Sequence, residues 1–181
     1  MKKILIVPAS LLLLIFLVQK FELLDAKAEN TNDTSISKRS DPLKKKVIGI
    51  GGIFFKSKDS QNIKDWYEQH LGMKMNEYGA MFEFRSSDEP DKKGYLQWGP
   101  FSEDTKYFQP SEKEFMINYR VADLASLLEE LRAGGVEIVD TIETYEYGKF
   151  LHIMDPEGNK IELWEPVDSV FTKLYQGTTT H

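Results

Sequence analysis

The sequence predicts an α+β domain made of two tandem βαβββ modules. Three observations carry this. The order strand, helix, strand, strand, strand occurs twice between residues 47 and 166; an aspartate, Asp59 or Asp123, stands at the start of each helix; and the intervening length, about 120 residues, suits one ordinary hydrophobic core. A repeat of this kind is a stronger fold signal than any single propensity.

The chain opens differently. Lys2 and Lys3 precede an apolar run at residues 4–18, the layout of a secretory signal with a charged n-region and a short h-region. The run is shorter than the roughly 20 residues that span a bilayer comfortably. Ala26-Lys27-Ala28 offers a small-residue cleavage site. Residues 1–28 therefore read as a signal peptide or an N-terminal membrane anchor, and the expected location is exported: periplasmic or extracellular, or anchored and facing outside. The chain has no cysteine, so lipoprotein attachment and disulfide or thiolate chemistry are excluded. Residues 29–46 are polar, lack apolar periodicity and end in three lysines, which makes them a linker.

Module one, residues 47–101, starts with the strand VIGIGGIFF, β-branched and aromatic, in which Gly49, Gly51 and Gly52 leave room for close approach by another group. Asp59 or Ser60 caps a helix with Ile63, Trp66, Tyr67 and Leu71 on one stripe, and Gly72 ends it. Strands at 73–77, 80–85 and 95–101 follow. A polar connector containing Pro110 leads to module two, residues 115–166. Its first strand is FMINYRV; Asp123 caps a helix whose Leu124, Leu127, Leu128 and Leu131 lie at i, i+3, i+4 and i+7. Strands at 136–141, 150–154 and 160–164 complete it. In the tail, 167–181, Val170, Phe171 and Leu174 suggest a short docked helix, and residues 177–181 are expected to fray.

The last two strands form the most informative stretch. In Asp155-Pro156-Glu157-Gly158-Asn159, Pro presets a turn position and Gly accepts positive φ, so a tight hairpin forms. Beyond it Lys160, Glu162 and Trp164 share one strand face, and Ile161 and Leu163 the other. The run DPEGNKIELWEP, behind two apolar strands and a helix, resembles the end of a domain of the glyoxalase/bleomycin-resistance/extradiol-dioxygenase group, the vicinal oxygen chelate superfamily. The resemblance covers roughly residues 47–166. It implies a glyoxalase-like fold in which the paired modules bend their sheet into an open cup with the site inside, and it implies pairing into a homodimer. It is specific for fold and poor for reaction, since this fold hosts several chemistries.

The resemblance also implies a divalent metal on four strands, and here the residues depart from it. Counting back from Asp59, the usual first-strand His position holds Gly52; counting back from Val121, the second module's holds Met116; and the position on the last strand of module one, within Tyr95-Leu96-Gln97-Trp98, holds Gln97. Only Glu162 matches. Glycine offers no ligand, Met is soft, and Gln is a weak neutral donor. No cofactor is therefore expected, and Glu162 is a metal ligand only if a divalent metal is present.

Of the histidines, His70 reads as a helix-end cation and His181 as part of the tail. His152 is different. If the turn is centred on Glu157, His152 and Glu162 are cross-strand partners, either an acid/base pair or a two-ligand site; a bulge at Gly158 would turn His152 away. Strand alternation places Ile50 and Phe54 with Gly52, Asn118 and Arg120 with Met116, and Tyr95 with Gln97. The candidate site is thus Glu162 and His152 as catalytic residues, with Gln97, Met116, Asn118, Arg120, Phe54 and Trp164 as ligand-binding ones. Arg120 would neutralise Glu162 or an anionic ligand. Tyr145 and Tyr147, in a loop-like stretch at 143–148, either roof the cup or lie exposed.

Charge narrows the partners. The chain carries −6, and residues 1–46 hold nine Lys/Arg against five Asp/Glu, which leaves −10 for the domain. Such a domain repels phosphate backbones, so nucleic acid is excluded as partner; the partners expected are a small organic molecule and, through the N-terminus, a membrane. Two readings follow. One is an exported, metal-free binding protein similar to the drug-sequestering, bleomycin-resistance-like members of the superfamily. The other is a glyoxalase-like lyase or isomerase with Glu162 as base and Arg120, Gln97 and Asn118 stabilising an enediolate. An extradiol oxygenase needs iron on two His and a carboxylate, which Gly52 and Met116 oppose.

Overall fold

The computed structural model describes residues 46–180. The signal or anchor at 1–28, the linker before Lys46 and His181 lie outside the described residues. No helix among the described residues is long and apolar enough to cross a membrane.

Module one comprises β1 (Val47–Ser57), α1 (Ser60–Leu71), β2 (Met75–Asn76), β3 (Gly79–Arg85) and β4 (Lys93–Ser102). Module two comprises β5 (Phe115–Val121), α2 (Leu124–Ala133), β6 (Glu137–Ile138), β7 (Glu143–Tyr145), β8 (Gly148–Met154) and β9 (Lys160–Pro166), followed by α3 (Asp168–Leu174). The nine strands form one mixed sheet, in the order β2-β3-β4-β1-β5-β9-β8-β6, with β7 also on β8. The repeat is visible in the pairing. Each module's first strand runs parallel to its last, β1 with β4 and β5 with β9, and the modules join where β1 and β5 pair antiparallel. The fold is the expected α+β, glyoxalase-like one.

The helix caps act alike. Asp59 accepts the Asn62 N–H at 2.9 Å and Asp123 the Ser126 N–H at 3.0 Å. Leu124, Leu127 and Leu128 of α2 are buried against Leu151, Ile153 and Leu163, on the outer face of the sheet. The stripe expected on α1 is corrected by the structure. Trp66 and Leu71 are exposed, Tyr67 lies on Trp98 at 4.6 Å, and the buried residue of α1 is Lys64, whose Nζ donates to the Glu77 carbonyl at 2.9 Å. The long Lys stem covers apolar surface while its ammonium reaches the rim.

Three further departures shape the inner face. Register shifts fall between Val47 and Gly49 and between Ile50 and Gly52, so Ile50 pairs with Tyr119 and is exposed, not inward with Gly52. The stretch at Tyr145 is a strand, and Tyr145 and Tyr147 stack at 5.4 Å. Residues 177–180, expected to fray, dock instead: Thr179 is buried and the Thr180 N–H donates to the Met81 carbonyl at 2.8 Å.

Candidate functional site

One row of paired residues crosses the concave face: Met81 opposite Gln97, Gln97 opposite Gly52, Gly52 opposite Asn118, Asn118 opposite Glu162, and Glu162 opposite His152. Residues paired across strands share a face, so the hairpin register alone brings His152 to Glu162. Gly158, at φ 76, closes the turn without the bulge that would have turned His152 away. The row also corrects the count that put Met116 at the second module's ligand position. Asn118 stands there, and Met116 lies two residues away in a core cluster with Phe54 and Phe108. Counting from Val121 alone misses this because β1 and β5 have different numbers of residues between the row and their helices.

Glu162 is 3 % exposed and accepts from three protein groups. Its Oε1 accepts the Asn118 amide at 2.6 Å; its Oε2 accepts the Tyr107 hydroxyl and meets His152 Nε2 at 2.9 Å. The other ring nitrogen of His152, Nδ1, lies 2.6 Å from Asp140, whose second oxygen accepts the His152 backbone N–H at 2.8 Å. Burial alone would push the imidazole down, but hydrogen bonds to the Asp140 and Glu162 carboxylates overcome it and raise the pKa to about 9. Burial likewise pushes Glu162 up and is outweighed by the imidazolium and the hydrogen bonds from Tyr107 and Asn118, so the carboxyl is held below its usual range. Tyr107 moves well above its ordinary value, through burial first and the neighbouring Glu162 charge second. Lys160 completes the set, with its Nζ 2.7 Å from the Tyr107 carbonyl and 5.1 Å from the ring; burial depresses its pKa. The cluster holds two anions and two cations.

Arg120 forms a second centre. It is 5 % exposed and lies across β1, where the absent side chains of Gly49 and Gly51 leave its path open: a Cβ on Gly51 would stand 2.9 Å from Arg120 Cγ. Its guanidinium is 5.2 Å from the Trp164 ring and 5.5 Å from Phe84, donates to the Tyr95 carbonyl at 3.3 Å, and pairs with Asp168 at 2.6 Å. Arg120 thus meets Asp168 and not Glu162. Gln97 lies in the row but turns its amide nitrogen to the Ala80 and Trp98 carbonyls, at 3.2 and 2.9 Å.

Two segments cover this face. From the connector, Tyr107 and Phe108 lie over Glu162, Phe54 and Met116, and Ser111 donates to the Gly158 carbonyl at 2.6 Å. From beyond β9, Phe171 packs on Trp164 at 5.3 Å and Tyr95 at 5.7 Å, and Tyr95 donates to Thr172 at 3.0 Å. Tyr107, Asp140 and Asp168 were not singled out from sequence. The signal for Tyr107 was the Tyr-Phe pair in an otherwise polar connector; Asp140 and Asp168 carried none.

The family model of the glyoxalase/bleomycin resistance protein/dioxygenase superfamily matches residues 49–163. No curated protein sequence matches the chain. Among solved structures, a variant of Streptomyces coelicolor methylmalonyl-CoA epimerase in complex with 2-nitronate-propionyl-CoA is 16 % identical, with 67 % of this chain and 99 % of that one covered and a TM-score of 0.50. Methylmalonyl-CoA epimerase from Mycobacterium tuberculosis is 22 % identical over 70 % of this chain and 93 % of its own, with a TM-score of 0.46. Likenesses this distant concern the fold.

Proposed function

The chain belongs to the glyoxalase/bleomycin resistance protein/dioxygenase superfamily, and on that premise we propose that it is an exported module that binds one small organic molecule on its concave face without the family's metal. The observation that carries the reading is the engagement of Glu162 by three internal partners. A carboxylate that already accepts from Asn118, Tyr107 and His152 has three of its roughly four acceptor positions occupied inside the protein, and its lowered pKa makes it a weak base.

The donor set argues the same way. Gly52 has no side chain, Asn118 is engaged with Glu162, Gln97 faces backbone carbonyls, and both nitrogens of His152 face carboxylates. Among the described residues no cluster of three or more His, Cys, Asp or Glu is arranged to hold a metal ion. These residues do not fit a hard divalent cation. For binding, the face supplies a buried guanidinium, Trp164 and Tyr95, which suits an organic ligand with a few polar groups, whereas Phe54 lies in the core with Phe108 and Met116.

A second reading, a glyoxalase-like lyase or isomerase with Glu162 and His152 as its acid/base pair, is supported by one observation, the 2.9 Å contact between them. Elemental analysis of the full chain, purified without chelator and without a histidine tag, together with a thermal-shift ligand screen, separates the two. No stoichiometric divalent ion and a set of organic hits is the expected outcome; one ion per chain that Glu162→Ala removes would overturn the metal-free reading. Export and the N-terminal tether belong to the same proposal and are checked by cell fractionation, and the homodimer by light scattering.

A further inference from the structure

We propose that the segment 167–180 occupies the cup as an internal stand-in for the ligand, and that this ligand is an organic carboxylate carrying an aromatic ring, anchored by Arg120. The inference deepens the small-molecule reading above and rests on it.

Asp168 and Phe171 stand at i and i+3 of α3, so their side chains share a face. The carboxylate of Asp168 lies on Arg120, and the ring of Phe171 enters a cage of Trp164, Tyr95 and Tyr147. Because Cβ atoms at i and i+3 stand only roughly 5–6 Å apart, a carboxylate and an aryl ring on a short linker present the same two groups to Arg120 and the cage. The anion is required by the site, because a guanidinium this deeply buried needs a negative partner.

The internal partner fills that role incompletely. Asp168 engages Nη2 through Oδ2 alone, while its Oδ1 is buried without a hydrogen-bond partner. A free carboxylate can meet the guanidinium fork with both oxygens, which is the stronger geometry. At its far end the segment is fastened by the Thr180 N–H to the Met81 carbonyl, the Lys74 N–H to Thr180 Oγ1 at 2.9 Å, Lys74 Nζ to the Gly177 carbonyl at 3.3 Å and the burial of Thr179, with no ion pair there. An external acid that takes Arg120 therefore displaces a helix of seven residues, too short to persist undocked.

The test is calorimetric titration of the full chain with 3-phenylpropanoate and with its uncharged amide, alongside hydrogen exchange at the Thr180 amide. The acid is expected to bind at least about tenfold tighter than the amide, the gain of one charge-assisted hydrogen bond, and to speed exchange at Thr180. Asp168→Asn or Phe171→Ala should tighten the acid by about tenfold, since the competitor is weakened, and Arg120→Gln should remove the preference for it. Equal binding of acid and amide, or acid binding that leaves Thr180 protection unchanged, overturns the inference. Neutral hits in the cup with no advantage to the acid would do so while leaving the small-molecule reading standing; no ligand for the wild type or for either loosened variant would overturn both.

Discussion

The charge on His152 can be measured directly, and its consequence for stability follows from the structure. The imidazole pKa rises from 6.5 to about 9 on folding because Asp140 and Glu162 flank it. A group raised in this way adds stability that is full below the unfolded value and is lost as pH climbs through the folded one; between pH 6.5 and about 9 the native state holds one more proton than the unfolded chain, so the unfolding free energy falls. At about 1.4 kcal/mol per pH unit, the window is worth about 3 kcal/mol. The acid flank belongs to Glu162 and Asp140, whose pKa values are lowered: their contribution is present above the unfolded carboxylate values and disappears as pH falls through the folded ones. These are the same contacts seen from the partners and are counted once. The perturbation is His152→Gln, which keeps a polar side chain and removes the titration. Urea midpoints between pH 6 and 9.5 should show the wild type losing about 3 kcal/mol more than the variant. Parallel profiles, or an imidazole resonance titrating at or below pH 7, would refute the imidazolium between two carboxylates.

Four other substitutions probe the same face by urea denaturation at pH 7. Glu162→Gln leaves Asn118, Tyr107 and the His152 cation without their anion and should cost about 3–5 kcal/mol, the range for breaking a buried ion pair from one side. Tyr107→Phe removes one charge-assisted hydrogen bond while keeping the ring on Phe101 and His152, and should cost about 1.5–3 kcal/mol. Gly51→Ala places a Cβ 2.6 Å from Trp164 and should cost about 1–3 kcal/mol by overpacking, whereas Gly49→Ala, whose Cβ would meet Arg120 at an ordinary 3.7 Å, should be close to neutral.

The fold was legible because it is written in short-range signals: caps at Asp59 and Asp123, a leucine stripe on α2, and Gly and Pro at the β8–β9 turn. The Glu162 and His152 juxtaposition was legible for the same reason, since a tight turn fixes register over ten residues. What failed depended on events between strands. Ile50 changed face because a bulge at Gly51 inserts a residue that alternation cannot anticipate, and Met116 was taken for Asn118 because the spacing from the paired row to the following helix differs between β1 and β5. Tyr107 and Asp168 reach the site over 55 and 48 residues of separation, as side chains of irregular or short segments that have no period to read. The α1 stripe misled because Trp66 and Leu71 have the spacing of a core face but no element above them.

The two covers of the cup are unequal, and this decides where a ligand enters. Tyr107 is held by Glu162, by the Lys160 ammonium at its carbonyl and ring, and by the Phe101 stack at 5.4 Å, with Ser111 fixing the connector to the β8–β9 turn. Opening that end separates Glu162 from a donor and unpacks a cation held in low dielectric, so it approaches the cost of global unfolding. The segment 167–180 is held by one ion pair to a part-exposed Asp168, the Phe171 contacts, the Tyr95 hydroxyl on Thr172, the Val167 N–H on the Tyr147 carbonyl, the buried Thr179 and three hydrogen bonds near its end, to Met81 and from Lys74, with no buried charge cluster like that at Tyr107. Local opening follows the weaker attachment. Hydrogen exchange on the full chain should therefore show the Tyr175, Thr178 and Thr180 amides exchanging well before the Ser111 and Gln109 amides of the connector. The reverse order would place the entrance at Tyr107, and a ligand entering there would meet the Glu162 and His152 cluster before Arg120.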